Sequence, residues 1–456
     1  MKPSMRTRLL AVGILLACSA AASAYGNDPV LDLSAFELVA DGQTDNTEAL
    51  NAAFIAAARD GLAVELPSGA FGFAGVIKLE GVTVRGQGNA TRLVALDASK
   101  AQLQLTSEAS ISDLSFKGAA QASASASTPI PRVLLKSAEG ARIDRCTFRE
   151  VSFAIEVRAS KDFAITHCRF MEIDGPAIRI TTGSHAGLIS SNRIQSQGHA
   201  IEIFSQDAGD GPCHDILITA NTIDAGETGR GIAVNGGRNV SLTGNQIGKA
   251  GGSGIWVGTD GNRAAAATSD ILIRANQIDG AGWDIGDTMG ALHLTGTANE
   301  PLTDVTLSGN QISRTPYRGL ELNGVVRNLA IEGNSFVDIG DYGIFGEGED
   351  LRDIFIRGNR FVRLQAGALR LEPGEEGVID VAENFFRRLN LVGNNWEDAI
   401  HFFEVRGDQF ELLVRGNLHV DFNDEEVLES FVQSEDPNIL PTLSGNVTPN
   451  ENRLGE

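Results

Sequence analysis

Four segments, ITANTI (218–223), LTGNQI (242–247), IRANQI (273–278) and LSGNQI (307–312), share a pattern in which an asparagine precedes an isoleucine by two positions. The same pattern continues towards both ends of the chain. The aligned column consists of Leu114, Cys146, Cys168, Asn192, Asn221, Asn245, Asn276, Asn310, Asn334, Asn359 and Asn384, and Asn417 and Asn446 continue it. From Cys146 to Asn384 consecutive members are 22 to 34 residues apart. Repeats of this size cannot bury an apolar face alone and must stack, so the sequence predicts a solenoid.

The apolar runs inside each repeat are short and alternate with outward-facing residues. Examples are AIEV (154–157), AIRI (177–180), ALHL (291–294) and LELN (320–323). A helical solenoid needs long runs with a period of 3.6 residues, whereas alternation over four to six residues indicates strands. Asparagine at the same place in successive coils is typical of an internal turn, where its side chain bonds backbone groups. Cys146 and Cys168 occupy this column and are expected to pack as small apolar residues.

The repeat resembles the right-handed parallel β-helix superfamily of pectate-lyase-like enzymes, alginate epimerases and phage tailspikes, over about residues 36 to 420. The resemblance implies an all-β fold, a single-stranded right-handed parallel β-helix with a short capping helix. DGQTDNTEALNAA (41–53) followed by GLAVELPSG (61–69) is similar to the N-terminal cap of pectate-lyase-superfamily and tailspike proteins.

The predicted organisation is a leader over residues 1–24, an N-terminal cap over 25–75, the β-helix over 76–420 and a C-terminal cap or tail over 421–456. In the N-terminal cap, Asp45 and Glu48 predict the start of an amphipathic helix that continues to Arg59 and is closed by Gly61. The low-complexity segment 119–128 predicts a flexible loop.

Residues 1–24 have the pattern of an export signal. Positive charges precede an apolar run, which is followed by the small residues Ala22–Ala24. The segment Leu15–Cys18 also resembles a bacterial lipoprotein box, so lipid attachment at Cys18 is the alternative to cleavage after Ala24. Either route predicts a periplasmic or secreted protein, and no later run is long enough to span a bilayer.

The chain carries a net charge of −22, which becomes −25 once the three positive charges of the leader are removed. This balance argues against nucleic acid as a partner, because phosphate contacts need a basic surface. Three cysteines remain after the leader, which implies no disulfide framework, although Cys146 and Cys168 could be bridged in an oxidising compartment.

One strand of each coil aligns well enough to predict three outward columns of side chains. The middle column is Glu156, Arg179, Glu202, Ala233, Trp256, His293, Glu321, Phe345 and Arg370. The second is Arg158, Thr181, Phe204, Asn235, Gly258, Thr295, Asn323, Glu347 and Glu372, and the third includes His199, Arg230, Arg318 and Tyr342. Alternation predicts that all of these face solvent.

Long insertions between about residues 200 and 305 predict loops that would wall a groove along these columns. Trp256 and Trp283 lie in this part of the chain, and an exposed tryptophan would offer a platform for a sugar ring. We therefore expect a polysaccharide substrate. The expected substrate-binding residues are Glu202, Arg230, Asn235, Trp256, Trp283, Asn323 and Glu347.

The expected catalytic residues are His293, Glu321, Arg318 and Tyr342. Adjacent coils lie about 4.8 Å apart, so His293 and Glu321 should be within side-chain reach. Abstraction of the proton beside a uronate carboxylate needs a cation, a base and an acid. Arg318 would neutralise the carboxylate, His293 would be a base oriented by Glu321, and Tyr342 would be the acid, as in a polysaccharide lyase or epimerase.

Two other interpretations remain open. Glu321 and Glu347 lie roughly 8 Å apart by strand spacing and rise, which suits an inverting glycoside hydrolase. The second interpretation is a non-catalytic surface protein that binds a glycan or another protein along the same face. Ca²⁺ could be held by Glu202, Asn235, Asp207 and Asp210, but their spacing matches no calcium-binding motif, and the sequence indicates no metal site and no oligomeric state.

Overall fold

The computed structural model describes residues 28–118, 130–205, 211–259, 267–283, 290–391, 398–403, 409–420, 431–434 and 441–447. Three short strands per turn pair in parallel with the strands of the turns above and below. The described residues thus form a parallel β-helix whose apolar side chains point into its interior, as the alternating runs predicted. The export signal, Cys18 and segment 119–128 lie outside the described residues.

We name the three sheets by their order along each coil. Sheet 1 contains Val76–Leu79, Gln102–Leu105, Val133–Lys136, Ile155–Arg158, Ile178–Thr181, Ile201–Phe204, Ile232–Asn235, Ile255–Gly258, Leu292–Gly296, the first parts of Leu320–Glu332 and Ile344–Arg357, Leu369–Leu371, Ile400–Phe402 and Val432–Ser434.

Sheet 2 contains Val64–Glu65, Thr83–Arg85, Ser110–Ser112, Arg142–Asp144, Ala164–Thr166, His185–Ser190, Cys213–Thr219, Gly237–Thr243, Ser269–Arg274, Leu302–Ser308, the second parts of Leu320–Glu332 and Ile344–Arg357, Glu376–Ala382, Gln409–Arg415 and Thr442–Ser444. Sheet 3 contains Asp41–Asp45, Gly69–Phe73, Thr91–Ala95, Ser115–Lys117, Thr147–Val151, Arg169–Ile173, Arg193–Ser196, Thr222–Asp224, Gln246–Ile247, Gln277–Asp279, Gln311–Thr315, Ser335–Ile339, Arg360–Leu364, Phe385–Arg387 and Leu418–His419.

The asparagines form a continuous buried ladder in the turn between sheets 2 and 3. Asn276 is representative, because its Oδ1 accepts hydrogen bonds from the backbone N–H of Asn245 at 2.9 Å and from the side-chain amide of Asn245 at 3.0 Å. Its own amide donates to the Leu242 carbonyl at 2.8 Å and to Asn310 Oδ1 at 3.0 Å. The ladder extends to Asn446, so the predicted continuation through Asn417 and Asn446 is confirmed. It satisfies backbone groups that the turn would otherwise leave buried and unpaired.

Two features of the core support this turn. Phenylalanines two residues beyond the ladder column stack on one another, with ring centroids 4.8 Å apart for Phe116 and Phe148 and 5.0 Å apart for Phe148 and Phe170. Cys146 and Cys168 are buried and unbridged in the same column, as expected for small apolar residues.

The first coil is covered by the predicted helix, which spans Thr47–Asp60 and ends at Gly61 with a left-handed φ of 67°. The helix begins one residue later than expected, since Asn46 occupies the N-cap position. Asn46 uses its side chain to bond Val39 and Gly72, whereas the side chain of Asp45 accepts the Thr47 N–H at 3.0 Å. At the other end, Val432–Ser434 and Thr442–Ser444 still pair in parallel with the preceding coil, so coil structure reaches beyond residue 420.

Candidate functional site

The outer face of sheet 1 carries the predicted columns in the predicted register. His293 pairs with Trp256 on one side and with Glu321 on the other, and Glu321 pairs with Phe345. In the second column Thr295 pairs with Asn323, which pairs with Glu347. We call the part of this face from Ile201–Phe204 to Ile344–Arg357 the wall. Side chains from residues two dozen or more apart in the chain therefore become neighbours.

The expectation that the middle column faces solvent is wrong in the centre of the wall. Trp256 is 4% exposed, His293 6%, Glu321 5% and Phe345 6%. Trp256 therefore does not form the predicted open platform for a sugar, whereas Trp283 is 37% exposed. Long side chains from the neighbouring column cover part of the face, since the guanidinium of Arg230 lies 4.7 Å from the Trp256 ring.

The four central polar residues of the wall form one hydrogen-bonded network. Both oxygens of Glu321 accept hydrogen bonds, Oε1 from Arg318 at 2.9 Å and from Asn323 at 3.1 Å, and Oε2 from the backbone N–H of Gly290 at 2.8 Å. The Asn323 amide also lies 3.1 Å from His293 Nε2. The prediction that Glu321 contacts His293 directly and orients it is therefore corrected. Among the described residues the contact runs through Asn323, since the two side chains project in parallel from neighbouring strands.

The shared amide determines which nitrogen of His293 carries the proton. The Glu321 carboxylate can only accept a hydrogen bond, so the atom of Asn323 that faces it is the amide nitrogen. This nitrogen has two hydrogens and no acceptor lone pair, so it also donates to His293, and Nε2 accepts with its lone pair. The proton is therefore on Nδ1, a buried atom without a hydrogen-bond partner in the described structure.

The His293 side chain is uncharged at neutral pH. Burial first, and then the positive charges of Arg230 and Arg318, lower the pKa of His293 from 6.5 to about 3. Desolvation and a like charge both penalise the imidazolium, so the neutral ring is the stable form.

Two arginines on the outer face of sheet 1 rest on aromatic rings. The guanidinium carbon of Arg318 lies 3.5 Å from the centre of the Phe345 ring, and Arg318 also pairs with Asp341 at 3.5 Å. Arg370 lies 4.6 Å from the Phe403 ring and 5.9 Å from the Tyr342 ring. Such stacking holds a guanidinium in a fixed orientation. Asp341, Phe345 and Arg370 were not among the predicted site residues, although Asp341 directly precedes Tyr342 in the sequence.

Tyr342, the predicted acid, is 5% exposed and packs in a small apolar cluster with Phe345 and Ala366. Its backbone carbonyl accepts the Gly319 N–H at 3.0 Å, which aligns it with Arg318 as predicted.

The remaining predicted substrate-binding residues have different environments. Glu202 is half-buried and forms an ion pair with Arg179 at 2.7 Å. Asn235 is buried, and its Oδ1 has no partner among the described residues. Glu347 is exposed beside Asn323. The loops predicted to wall the groove lie largely outside the described residues, as do Asp207 and Asp210.

Within the described part of the chain, no group of three or more histidine, cysteine, aspartate or glutamate side chains is arranged to hold a metal ion.

A family model described as the right handed beta helix region matches residues 106–278 and 210–386. The chain belongs to the right-handed β-helix family. This family membership confirms the predicted right-handed parallel β-helix. No curated protein matches the sequence.

Solved structures share the fold at low sequence identity. The catalytic unit of a GH87 α-1,3-glucanase from Streptomyces thermodiastaticus is 16% identical, with a TM-score of 0.57 over 94% of this chain and 70% of that one. The A-module of the Azotobacter vinelandii mannuronan C-5 epimerase AlgE6 is also 16% identical, with a TM-score of 0.51 over 92% and 99%. Tailspike protein 3 of bacteriophage CBA120 is 15% identical, with a TM-score of 0.52 over 92% and 61%. At these identities the likeness establishes the fold alone.

Within the part of the chain that the structure describes, no helix is long and apolar enough to cross a membrane.

Proposed function

We propose that this protein is an exported enzyme that abstracts the proton beside the carboxylate of a uronate-containing polysaccharide, as a lyase or an epimerase. The observation that carries the proposal is His293, a neutral imidazole held in a hydrogen-bonded network between two arginines. The glucanase and epimerase that share the fold support a carbohydrate substrate, and residues 1–24 support a location outside the cytoplasm.

The charges around His293 favour a uronate over a neutral sugar. In the free protein a base with a pKa of about 3 is weak, because burial and the charges of Arg230 and Arg318 disfavour the imidazolium. A carboxylate bound against these arginines would offset their charge and so raise the pKa of His293, although the larger effect, that of burial, would remain. A neutral sugar would leave the charge of the arginines unopposed, so an anionic substrate would make His293 the stronger base of the two cases.

The reaction begins with transfer of the sugar's C5 proton to His293 Nε2, the nitrogen that holds the lone pair. Because the Asn323 amide lies 3.1 Å from Nε2, this contact has to break before Nε2 can accept the proton. Arg318, oriented by Glu321 and Phe345, neutralises the carboxylate on which negative charge builds up. In a lyase, Tyr342 protonates the departing O4 as the C4–O4 bond breaks. In an epimerase, a proton returns to C5 from the opposite face.

The same network makes Glu321 less suited to inverting hydrolysis with Glu347. Both of its oxygens already accept hydrogen bonds from the protein, so Glu321 has the contacts of an orienting group. Non-catalytic glycan binding remains an outcome that the experiment distinguishes.

The protein should be incubated in D₂O with mannuronan, with polygalacturonate and with a neutral β-glucan as the control substrate. Deuterium at C5, detected by NMR, identifies an epimerase, whereas a lyase leaves a C4=C5 double bond with no hydrogen at C5 and is detected by the ultraviolet absorbance of the unsaturated uronate. His293→Ala and Tyr342→Phe should each abolish product formation, whereas His185→Ala, on sheet 2, should retain it.

Reducing ends without unsaturated sugar or C5 deuterium would instead identify a hydrolase. Binding without any product would favour a non-catalytic glycan-binding protein. Full activity of both site variants would remove the assignment of the site.

A further inference from the structure

A second groove lies on the outer face of sheet 3, away from the wall. It has a volume of about 390 Å³, which is within the range of roughly 300–1,000 Å³ typical of small-molecule sites. It crosses four consecutive coils and is lined by Arg193, Gln195, Thr222, Asp224, Gln246, Gly248, Gln277 and Asp279, with isoleucines of the same strands between them.

Gly248 creates the groove. It follows Ile247, which pairs with Ile223 on one side and Ile278 on the other, so Gly248 lies between Asp224 and Asp279 in one outward column. The other residues of this column within the groove, Gln195, Asp224 and Asp279, all have polar side chains. The missing side chain opens a gap two coils high. Because the Ile223 carbonyl, 3.7 Å away, is the nearest atom that a Cβ on Gly248 would meet, backbone packing does not require glycine here.

The lining of the groove offers hydrogen-bonding groups that the protein does not use. The side chains of Gln195, Thr222, Gln246 and Gln277 are exposed and bond to no other described residue. Gln246 and Gln277 pair in register, so their backbones repeat along the axis at about 4.8 Å and both side chains project from the same face. Each amide presents both donors and an acceptor.

The charges of the groove favour a neutral ligand. Asp279 accepts a hydrogen bond from Ser313 at 2.9 Å and pairs with Arg314, and the Asp224 carboxylate lies 3.4 Å from the Gly226 N–H. Both carboxylates flank the Gly248 gap, where they can accept hydrogen bonds from hydroxyl groups, and Asp224, which forms no ion pair among the described residues, would repel a uronate. Arg193, a cation that lines the groove, lies on the first of the four coils, two coils away from Gly248.

We propose that this groove binds a neutral, hydroxyl-rich oligosaccharide laid along the coil axis. Sugar hydroxyls both donate and accept hydrogen bonds, as the glutamine amides do, and the two aspartates would accept from hydroxyls over the gap. The proposal does not depend on the reaction at the wall. It describes a carbohydrate-binding site on a different sheet with the opposite charge preference.

The test is calorimetric titration of the full chain with neutral hexasaccharides, cellohexaose, laminarihexaose and mannohexaose, and with a mannuronate hexamer. Gly248→Phe fills the groove without steric conflict with the backbone, and should lower the affinity for the bound neutral sugar by about tenfold or more. Gln246→Ala and Gln277→Ala should each lower it by about two- to tenfold, the effect of one hydrogen bond. Val337→Phe places the same side chain in the same column outside the groove and serves as the matched control.

His293→Ala should leave the binding of the neutral sugar unchanged, because His293 lies on sheet 1. The proposal is overturned if none of the three neutral hexasaccharides binds. It is also overturned if Gly248→Phe binds as the wild type does, or if Gly248→Phe weakens the mannuronate hexamer and not the neutral sugars. Circular dichroism of each variant checks that the coil is intact.

Discussion

Replacing His293 by glutamine should change how the stability of the protein depends on pH. The unfolded chain binds a proton at this histidine near pH 6.5, whereas in the folded protein burial and the charges of Arg230 and Arg318 lower its pKa to about 3. Between these values the unfolded state binds more protons, so stability falls as the pH is lowered through this window. Glutamine is a neutral side chain at any pH and removes this contribution.

The magnitude follows from the pKa difference. Each pKa unit corresponds to about 1.4 kcal/mol, so the wild type should lose about 3 kcal/mol between about pH 7 and about pH 4 through this group alone. Below about pH 3 the full loss would approach about 5 kcal/mol. Any constant cost of the substitution appears equally at each pH and does not affect this difference.

Urea unfolding followed by tryptophan fluorescence at several pH values measures the effect from the transition midpoint at unchanged slope. His185→Gln, which replaces a half-buried histidine on sheet 2, is the matched control. Parallel curves for the wild type and His293→Gln would refute the reasoning, because they would mean that the folded protein protonates His293 as readily as the unfolded chain.

Three further predictions concern the ladder, a strained turn and the charge near His293. Asn276→Ala removes four hydrogen bonds and leaves buried backbone groups unpaired, so it should cost about 3–6 kcal/mol in urea unfolding. Asn446→Ala, at the partly exposed end of the ladder, should cost about 1–3 kcal/mol; equal costs would contradict the ladder argument. Ala220 has a left-handed φ of 55° immediately before Asn221, so Ala220→Gly should stabilise the protein by about 0.5–1 kcal/mol, as a higher urea midpoint would show. Arg230→Gln removes a positive charge that adds to the effect of burial, so NMR titration should find a higher pKa for His293, and an unchanged pKa would be the contrary result.

The positions of side chains along the wall could be predicted from the sequence, but their environments could not. The register of His293 with Glu321 follows from the repeat, because a parallel coil of constant rise places equivalent residues over one another. Alternation along a strand indicates only that His293 points outward, and an outward side chain is exposed only if nothing covers it. Here Trp256 and its neighbours are buried, and the side chain of Arg230 lies on the Trp256 ring.

The contact between His293 and Asn323 was missed for a related reason. Side chains of one column in neighbouring coils project in parallel, so their tips meet only when the rotamers converge. Asn323, in the next column, instead reaches both His293 and Glu321. Its amide was predicted to bind substrate, and no local sequence pattern distinguishes that use from bridging two side chains.

The amino-acid sequence alone determined the coil, its period, the asparagine ladder and the alignment of the columns, because these depend on the spacing of residue types along one chain. Only the tertiary structure decided which outward residues are buried, which nitrogen of His293 carries its proton and where Gly248 opens a groove. These properties depend on side chains that meet from different coils, and their mutual desolvation and hydrogen bonding arise only when the coils are stacked.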